Sequence, residues 1–388
     1  METTDPVFFA PHCFLPPRDG ASLRAYEIAR SYSQAHGPSW LITKAAICRV
    51  HEDGREEVAV PLPERNSSLI AAARAFMSGG HYLQEKHLDP AWQKAVREWF
   101  AKMRPSFLYV HFLWSWDFIT ELRQDCPLTL DTHNFDLEWF QNLKANSRNP
   151  IKRRLCQTSA DAISRILYEL PRTVRLVHVS DRDSEAYREI RTDLEHHVLP
   201  NGCRVQPRAQ IPSYEGRKQL YFLGLLSVQI ALDALLHFEK QFWPALKDVA
   251  DFHVLGAHPS KAVLRMCEKN GWKLRANLTE EELTEATGSM HYACLPFAYG
   301  AGSKLKFADA CGRGLPVLAT PAGVKGFDNP PSTALVADDP KAWRAEVMSR
   351  QTFTPEEAEA ALNFARRYSW KSLVTNYFEE HAPSLAQV

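Results

Sequence analysis

A series of short apolar runs, each bounded by turn formers or charge and separated by helix-length amphipathic stretches, constrains this chain more than any other feature. The runs lie at residues 7–9, 39–43, 107–111, 128–131 and 176–180, and again at 219–223, 252–255, 291–295 and 316–319. Such runs read as short buried strands. Helical periodicity falls between them, for example over 22–35, 89–102, 230–242 and 304–313. Strands alternating with helices imply parallel sheets built from βαβ units, so an α/β fold of doubly wound, Rossmann-like sheets is expected.

The alternation comes in two blocks. Between them, residues 199–213 are rich in proline and turn formers and carry little apolar periodicity, which is a linker composition. The length, 388 residues, also exceeds what one hydrophobic core usually supports. Two domains are therefore expected, 1–205 and 206–367, with a helical tail over 368–388. Two doubly wound domains would face each other across a cleft between the carboxyl ends of their sheets, where such folds bind ligands.

Composition narrows the function classes. Lysine plus arginine (46) balances aspartate plus glutamate (46), so no global field draws the chain to nucleic acid or to an anionic membrane. The densest basic run, Lys152-Arg153-Arg154, reads as a solvated helix face. The eight cysteines show no CxxC pair and no zinc-type spacing, and most sit among apolar residues, as expected in a reducing compartment. Met1-Glu-Thr-Thr-Asp lacks the features of a signal peptide, and no apolar stretch reaches the roughly 18–20 residues needed to span a bilayer. A soluble cytoplasmic protein is expected, with any membrane contact peripheral, at the inner face.

The segment with the most chemistry is Leu295-Pro-Phe-Ala-Tyr-Gly-Ala-Gly-Ser-Lys-Leu-Lys-Phe-Ala-Asp-Ala-Cys-Gly-Arg-Gly-Leu-Pro-Val-Leu-Ala-Thr-Pro-Ala-Gly323. It reads as a strand, a glycine loop, a helix beginning near Lys304, a turn at Gly314 and a second buried strand. A glycine loop feeding a helix N-terminus offers free amides and a positive dipole end, a seat for phosphate. Lys304 and Lys306 place cations where the helix dipole repels them, so a bound anion should offset that cost. Asp309, three residues past Lys306, shares its helix face and suits a pair of ribose hydroxyls.

This segment resembles the donor-binding motif of retaining GT-B glycosyltransferases, the large family 4 of group 1 glycosyl transferases, in the variant G-x-G-x-[KR]-x-K-x-x-E-A-x-x-x-G-x-P-V-x-A-T. By that likeness Lys306 contacts the donor phosphates with support from Lys304 and from the amides of Gly300, Ala301, Gly302 and Ser303. Asp309 stands where the family has a ribose-binding glutamate, and Ala301 where its commoner form has another. The stretch from Pro16 to Arg24 is similar to the family's first glycine loop, with Gly20 facing donor phosphate and Ala21 in place of a second glycine. In Asp131-Thr-His-Asn134, His133 holds the place of a functional histidine that leans on the transferred sugar. Leu199-Pro-Asn201-Gly202, Leu223-Gly224 and Val254-Leu-Gly256 extend the likeness, whereas Ala231 replaces a common asparagine.

The resemblance implies a GT-B enzyme transferring a sugar from a nucleotide diphosphate donor with retention, His133 and Lys306 acting in catalysis. No other cofactor is implied. The acceptor stays open among a glycan, a lipid-linked intermediate and a small molecule. The spacing Asp181-Arg-Asp183 begins and caps a helix in the first domain instead of forming a metal pair, so no metal is expected. The tail, rich in aromatics from Tyr368 on, is expected to return to the first domain. A nucleotide-sugar 2-epimerase of the same fold and an inactive scaffold, the latter suggested by Ala21, Ala231 and Ala301, are the competing functions.

Overall fold

The computed structural model describes residues 5–17, 19–63, 68–122, 126–147, 149–299 and 304–381. The chain divides into two compact units, Met1–Pro200 with Trp370–Val388, and Asn201–Ser369.

In the first unit the described strands are β1 (Val7–Phe9), β2 (Ser39–Ile42), β3 (Ala46–Val50), β4 (Glu56–Pro61), β5 (Leu108–His111), β6 (Leu128–Asp131), β7 (Val174–His178) and β8 (Glu195–Val198). They form one sheet in the order β4-β3-β2-β1-β5-β6-β7-β8. The sheet is parallel from β2 through β8. It departs from the all-parallel expectation at one edge, where β3 and β4 run antiparallel as a hairpin continuation of β2. Those strands, with β8, escape the reading of apolar runs for a physical reason. A central strand is covered on both faces and is apolar over most of its length, whereas β4 is largely exposed and β8 reads Glu-His-His-Val.

Each central strand serves both faces of the sheet. Val7 and Phe9 of β1 enter one core with Trp92, Val110 and Trp114, while Phe8 enters the other. On Phe8's side lies the helix Gly20–His36, whose N-cap Asp19 accepts a hydrogen bond from the Ser22 amide at 2.7 Å. The tail helix Trp370–His381 closes this core. It buries Trp370, Val374, Tyr377 and Phe378, a spacing that makes one helical stripe. The Phe378 ring lies 4.8 Å from Tyr32 and 5.6 Å from Phe107. Tyr368 stays with the second unit, its ring 4.8 Å from Phe327.

The second unit holds β9 (Lys218–Leu225), β10 (Ala250–Ala257), β11 (Lys273–Ala276), β12 (Tyr292–Leu295), β13 (Val317–Ala319) and β14 (Ala334–Val336), all parallel, in the order β11-β10-β9-β12-β13-β14. At the carboxyl ends of β9 and β10, Gly224 and Gly256 are register partners. A Cβ on Gly256 would lie 1.8 Å from the Gly224 carbonyl oxygen, so only glycine lets the two backbones approach there. The helix expected over 230–242 is interrupted. Gln229–His237 passes into a π-helical turn, Phe238–Phe242, ahead of Trp243-Pro244, because proline has no N–H to continue the ladder.

Seven of the eight cysteines are buried and all are free. Lys152, Arg153 and Arg154 are exposed on the helix Pro150–Glu169. No described helix is long and apolar enough to cross a membrane.

Phe378 is 3% exposed, and truncating it opens a cavity in a core shared by two helices and the sheet. Phe378→Ala should lower the unfolding free energy of the first unit by about 3–5 kcal/mol in urea titrations of the full chain. A loss below about 1 kcal/mol would show that the tail helix is not part of that core.

Candidate functional site

Each sheet has one point where the strand order reverses, and at these points the loops from the carboxyl ends diverge to leave room for a ligand. In the first unit this point is β1, flanked by β2 and β5. In the second it lies between β9 and β12.

At the first switch point the chain gathers a polar cluster in an apolar setting. Asp131, the last residue of β6, is fully buried. Arg24, one turn into the helix Gly20–His36 and 1% exposed, grips it with Nε 2.8 Å from Oδ2 and Nη2 3.1 Å from Oδ1. The Tyr109 hydroxyl donates to Oδ2 at 3.2 Å. Burial alone would raise the Asp131 carboxyl, but Arg24, then His133 and His111, hold it well below the ordinary range.

His111 ends β5, and its Nδ1 lies 2.9 Å from His133 Nε2 and 3.4 Å from Asp131 Oδ2. The carboxylate therefore favours the proton on His111 Nδ1, which makes His133 Nε2 the acceptor and leaves its Nδ1–H free to donate outward. Burial holds His133 well below the ordinary imidazole value, against the pull of Asp131. The backbone here is strained: Phe112 and His133 have φ of +69° and +57°, and their rings stack at 4.0 Å. Non-glycine residues in this region cluster at functional sites. Gly20 opens the helix at the same sheet edge, with no neighbouring atom crowding the place of a Cβ.

His111, Asp131 and His133 each offer one ligand atom, all within 4.8 Å of one another. The arrangement suits a proton network better than a cation. Oδ2 already accepts from Arg24 and Tyr109, and the guanidinium charge opposes a divalent ion. Asp181 and Asp183 lie elsewhere, in the first turn of the helix Asp181–Ile190. Its cap is Ser180, whose hydroxyl accepts from the Asp183 amide at 3.2 Å, so the aspartates are first-turn acids and not the cap itself.

At the second switch point β12 leads toward the helix Leu305–Gly312. Gly300, Ala301, Gly302 and Ser303 lie outside the described residues. Lys304 is the N-cap residue; its amide donates to the Lys325 carbonyl at 2.9 Å and its ammonium lies 5.2 Å from the centre of the Phe297 ring. Burial first, then the charge of Lys325, lowers its pKa. Lys306 and Asp309 follow in the same helix, both part-exposed. Burial lowers the lysine and raises the aspartate, and each partly restores the other's charge. Arg313 and the Arg204 backbone also favour the Asp309 carboxylate. The helix is held against the linker: a Cβ on Gly312 would stand 2.3 Å from the Arg204 carbonyl, and the Gln206 amide donates to Gly312 at 2.9 Å.

The structure thus places Lys304, Lys306 and Asp309 together on one helix start, and Gly20 and His133 at one sheet edge of the other unit. Arg24, His111 and Asp131 escape sequence reasoning as site residues, although Arg24 and Asp131 fall inside the stretches that carry the family likeness. Their pairing spans 107 positions, which no local pattern reveals. Ala231 is buried, and its Cβ lies 3.6 Å from where a Gly224 Cβ would stand, so it supplies no polar contact.

No family model and no curated protein matches the sequence. Solved structures do match in three dimensions. Sucrose-phosphate synthase from Thermosynechococcus elongatus superposes with a TM-score of 0.62 at 13% identity, over 97% of this chain and 98% of that one. WaaG, a glycosyltransferase involved in lipopolysaccharide biosynthesis, gives 0.58 at 15% identity over 97% and 100%. Anabaena HepE in complex with UDP gives 0.56 at 12% identity over 97% and 99%.

The buried histidines make acid stability a direct readout of this architecture. Burial brings His12, His81 and His178 from 6.5 to about 3 in the folded chain. The unfolded chain then binds more protons between those values, so stability is full above about pH 6.5 and falls as the pH drops toward 3, by up to about 1.4 kcal/mol per pH unit for each imidazole. Urea midpoints at pH 7 and pH 5 should differ accordingly, and equal midpoints would place these rings in water. With two sheets reversing strand order at β1 and between β9 and β12, and with these structural likenesses along nearly the whole chain, the fold is GT-B.

Proposed function

We propose that the chain is a glycosyltransferase that moves a sugar from a nucleotide diphosphate donor to an acceptor, with retention and without a metal ion. The observation that carries this reading is the placement of Lys304 and Lys306 at the start of the helix Leu305–Gly312, beside the switch point of the second unit. Two cations at the positive end of a helix are unfavourable alone and favourable with a diphosphate between them. That HepE was solved with UDP supports the same class of ligand here. A cytoplasmic location agrees with free, buried cysteines.

In this reading Lys306 and Lys304, with the amides of 300–303, neutralise charge as the diphosphate departs. Asp309 holds the ribose and so positions the reacting carbon. His133 presents its Nδ1–H to the transferred sugar, and Asp131, Arg24 and His111 act as positioning residues that hold its tautomer and ring. The lysines and the helix dipole fill the part that a metal plays in other transferases.

Lys306→Ala should weaken binding of the preferred nucleoside diphosphate tenfold or more, about 1.4 kcal/mol, in calorimetric titrations with UDP, GDP and ADP, while the circular dichroism melt is kept. Lys304→Ala should lose less. Unchanged affinity in a folded Lys306→Ala chain would remove the assignment. Transfer activity should survive EDTA. Complete loss restored by magnesium or manganese would show that a metal serves the departing diphosphate.

A further inference from the structure

A cavity of about 550 Å³ opens in the second unit at the amino ends of β9 and β10. That volume falls within the roughly 300–1,000 Å³ typical of small-molecule sites. It is separate from the place assigned to the diphosphate. The eight residues of β9 run from Lys218, in the cavity wall, to Leu225 at the carboxyl end, roughly 23 Å at strand rise.

One residue in this wall is costly where it stands. Lys218 opens β9 and is the register partner of Ala250, the first residue of β10. Alternation along the strand puts it on the same face as Leu220, which is fully buried. Only 6% of Lys218 is exposed. Its ammonium donates to the Tyr214 carbonyl and lies 5.3 Å from the centre of the Tyr214 ring. Among the described residues no carboxylate pairs with it, and burial lowers its pKa with no acid to restore the charge. An ammonium has three donors, so two are left for an occupant of the cavity. Buried charges are normally paired, and this one is not.

The neighbouring charges are already matched within the fold. Arg217 donates from Nε to Asp251 at 2.8 Å, and from its other nitrogens to the carbonyls of Lys247, Asp248 and Ala250. Asp248 accepts from both terminal nitrogens of Arg344. Glu215 adds a negative charge at the exposed rim. Val249, Val347 and Met348 supply an apolar wall, with Met348 53% exposed. One unmatched cation beside an apolar wall fits a single negative charge on an apolar body. A dianion would carry charge in excess of Lys218 alone, close to Asp248 and Glu215.

We propose that this cavity binds a small organic monocarboxylate, its carboxylate on the Lys218 ammonium and its apolar body against Val249, Val347 and Met348. The site is additional to the one for the nucleotide and does not rest on the transferase reading.

The test is methyl NMR on the full chain labelled at the methionine methyls, with the Met348 signal assigned through Met348→Leu. Hexanoate, benzoate and phenylacetate are titrated, each beside its neutral amide, with inorganic phosphate as a second control. At least one carboxylate should shift the Met348 methyl saturably, while its amide and phosphate should not. Lys218→Met should weaken that carboxylate tenfold or more. Carboxylates that all leave Met348 unmoved, or an amide or phosphate that moves it as far, would overturn the site. Undiminished binding in a folded Lys218→Met chain would overturn it too. Where that variant does not fold, the wild-type comparison of each acid with its amide decides the matter.

Discussion

The pair Arg24–Asp131 is the interaction on which the rest of the first unit depends. Both side chains are essentially out of water, and two parallel hydrogen bonds join the first helix to the carboxyl end of β6. A buried pair of this kind contributes little net stability, because desolvation consumes most of the Coulombic gain. Losing one partner is another matter, costing about 3–5 kcal/mol, since it strands a charge in the interior. The geometry is therefore enforced more than it is rewarded. That enforcement reaches His111 and His133 through Oδ2 and the Nδ1–Nε2 contact, in a stretch where the backbone at Phe112 and His133 is already strained. An imidazole held this way keeps one tautomer and one orientation before any ligand arrives.

The second unit solves a different electrostatic problem. Its helix Leu305–Gly312 begins with cations at the end where the peptide dipoles are already positive, and Lys304 is largely buried as well. Burial works against the charged forms of Lys304, Lys306 and Asp309 alike. A chain selected for stability alone would place an acid in that first turn. The unfavourable arrangement persists because the helix is fastened from its other end, where Gly312 meets the Arg204 carbonyl and the linker amides bond to the last turn. The linker is thus a structural member of the second unit, which bridges Cys203 to Ser369 as well.

The two polar clusters share a logic. Each sits where its sheet reverses strand order, and in each burial works against the charged forms. In the first unit the groups held against burial are Asp131 and His133; in the second they are Lys304, Lys306 and Asp309.

Local sequence determined the central strands and the helix that starts at the lysine pair. These are dictated by apolar continuity and by helical periodicity, both short-range effects. That Lys304, Lys306 and Asp309 share one helix start, and that His133 follows a buried strand, were legible because contiguous residues carry each pattern. The edge strands β4, β8 and β11 were not, since a strand covered on one side only has no continuous apolar run to betray it, and β3 and β14 are too short and too close to charge to stand out. Tertiary structure alone decided which helix residue neutralises Asp131, which lysine is buried without a carboxylate, and which core receives Phe378. Each of those depends on residues tens to hundreds of positions apart being brought within a few ångströms, and a desolvated charge or an idle donor exists only once the fold has excluded water from around it.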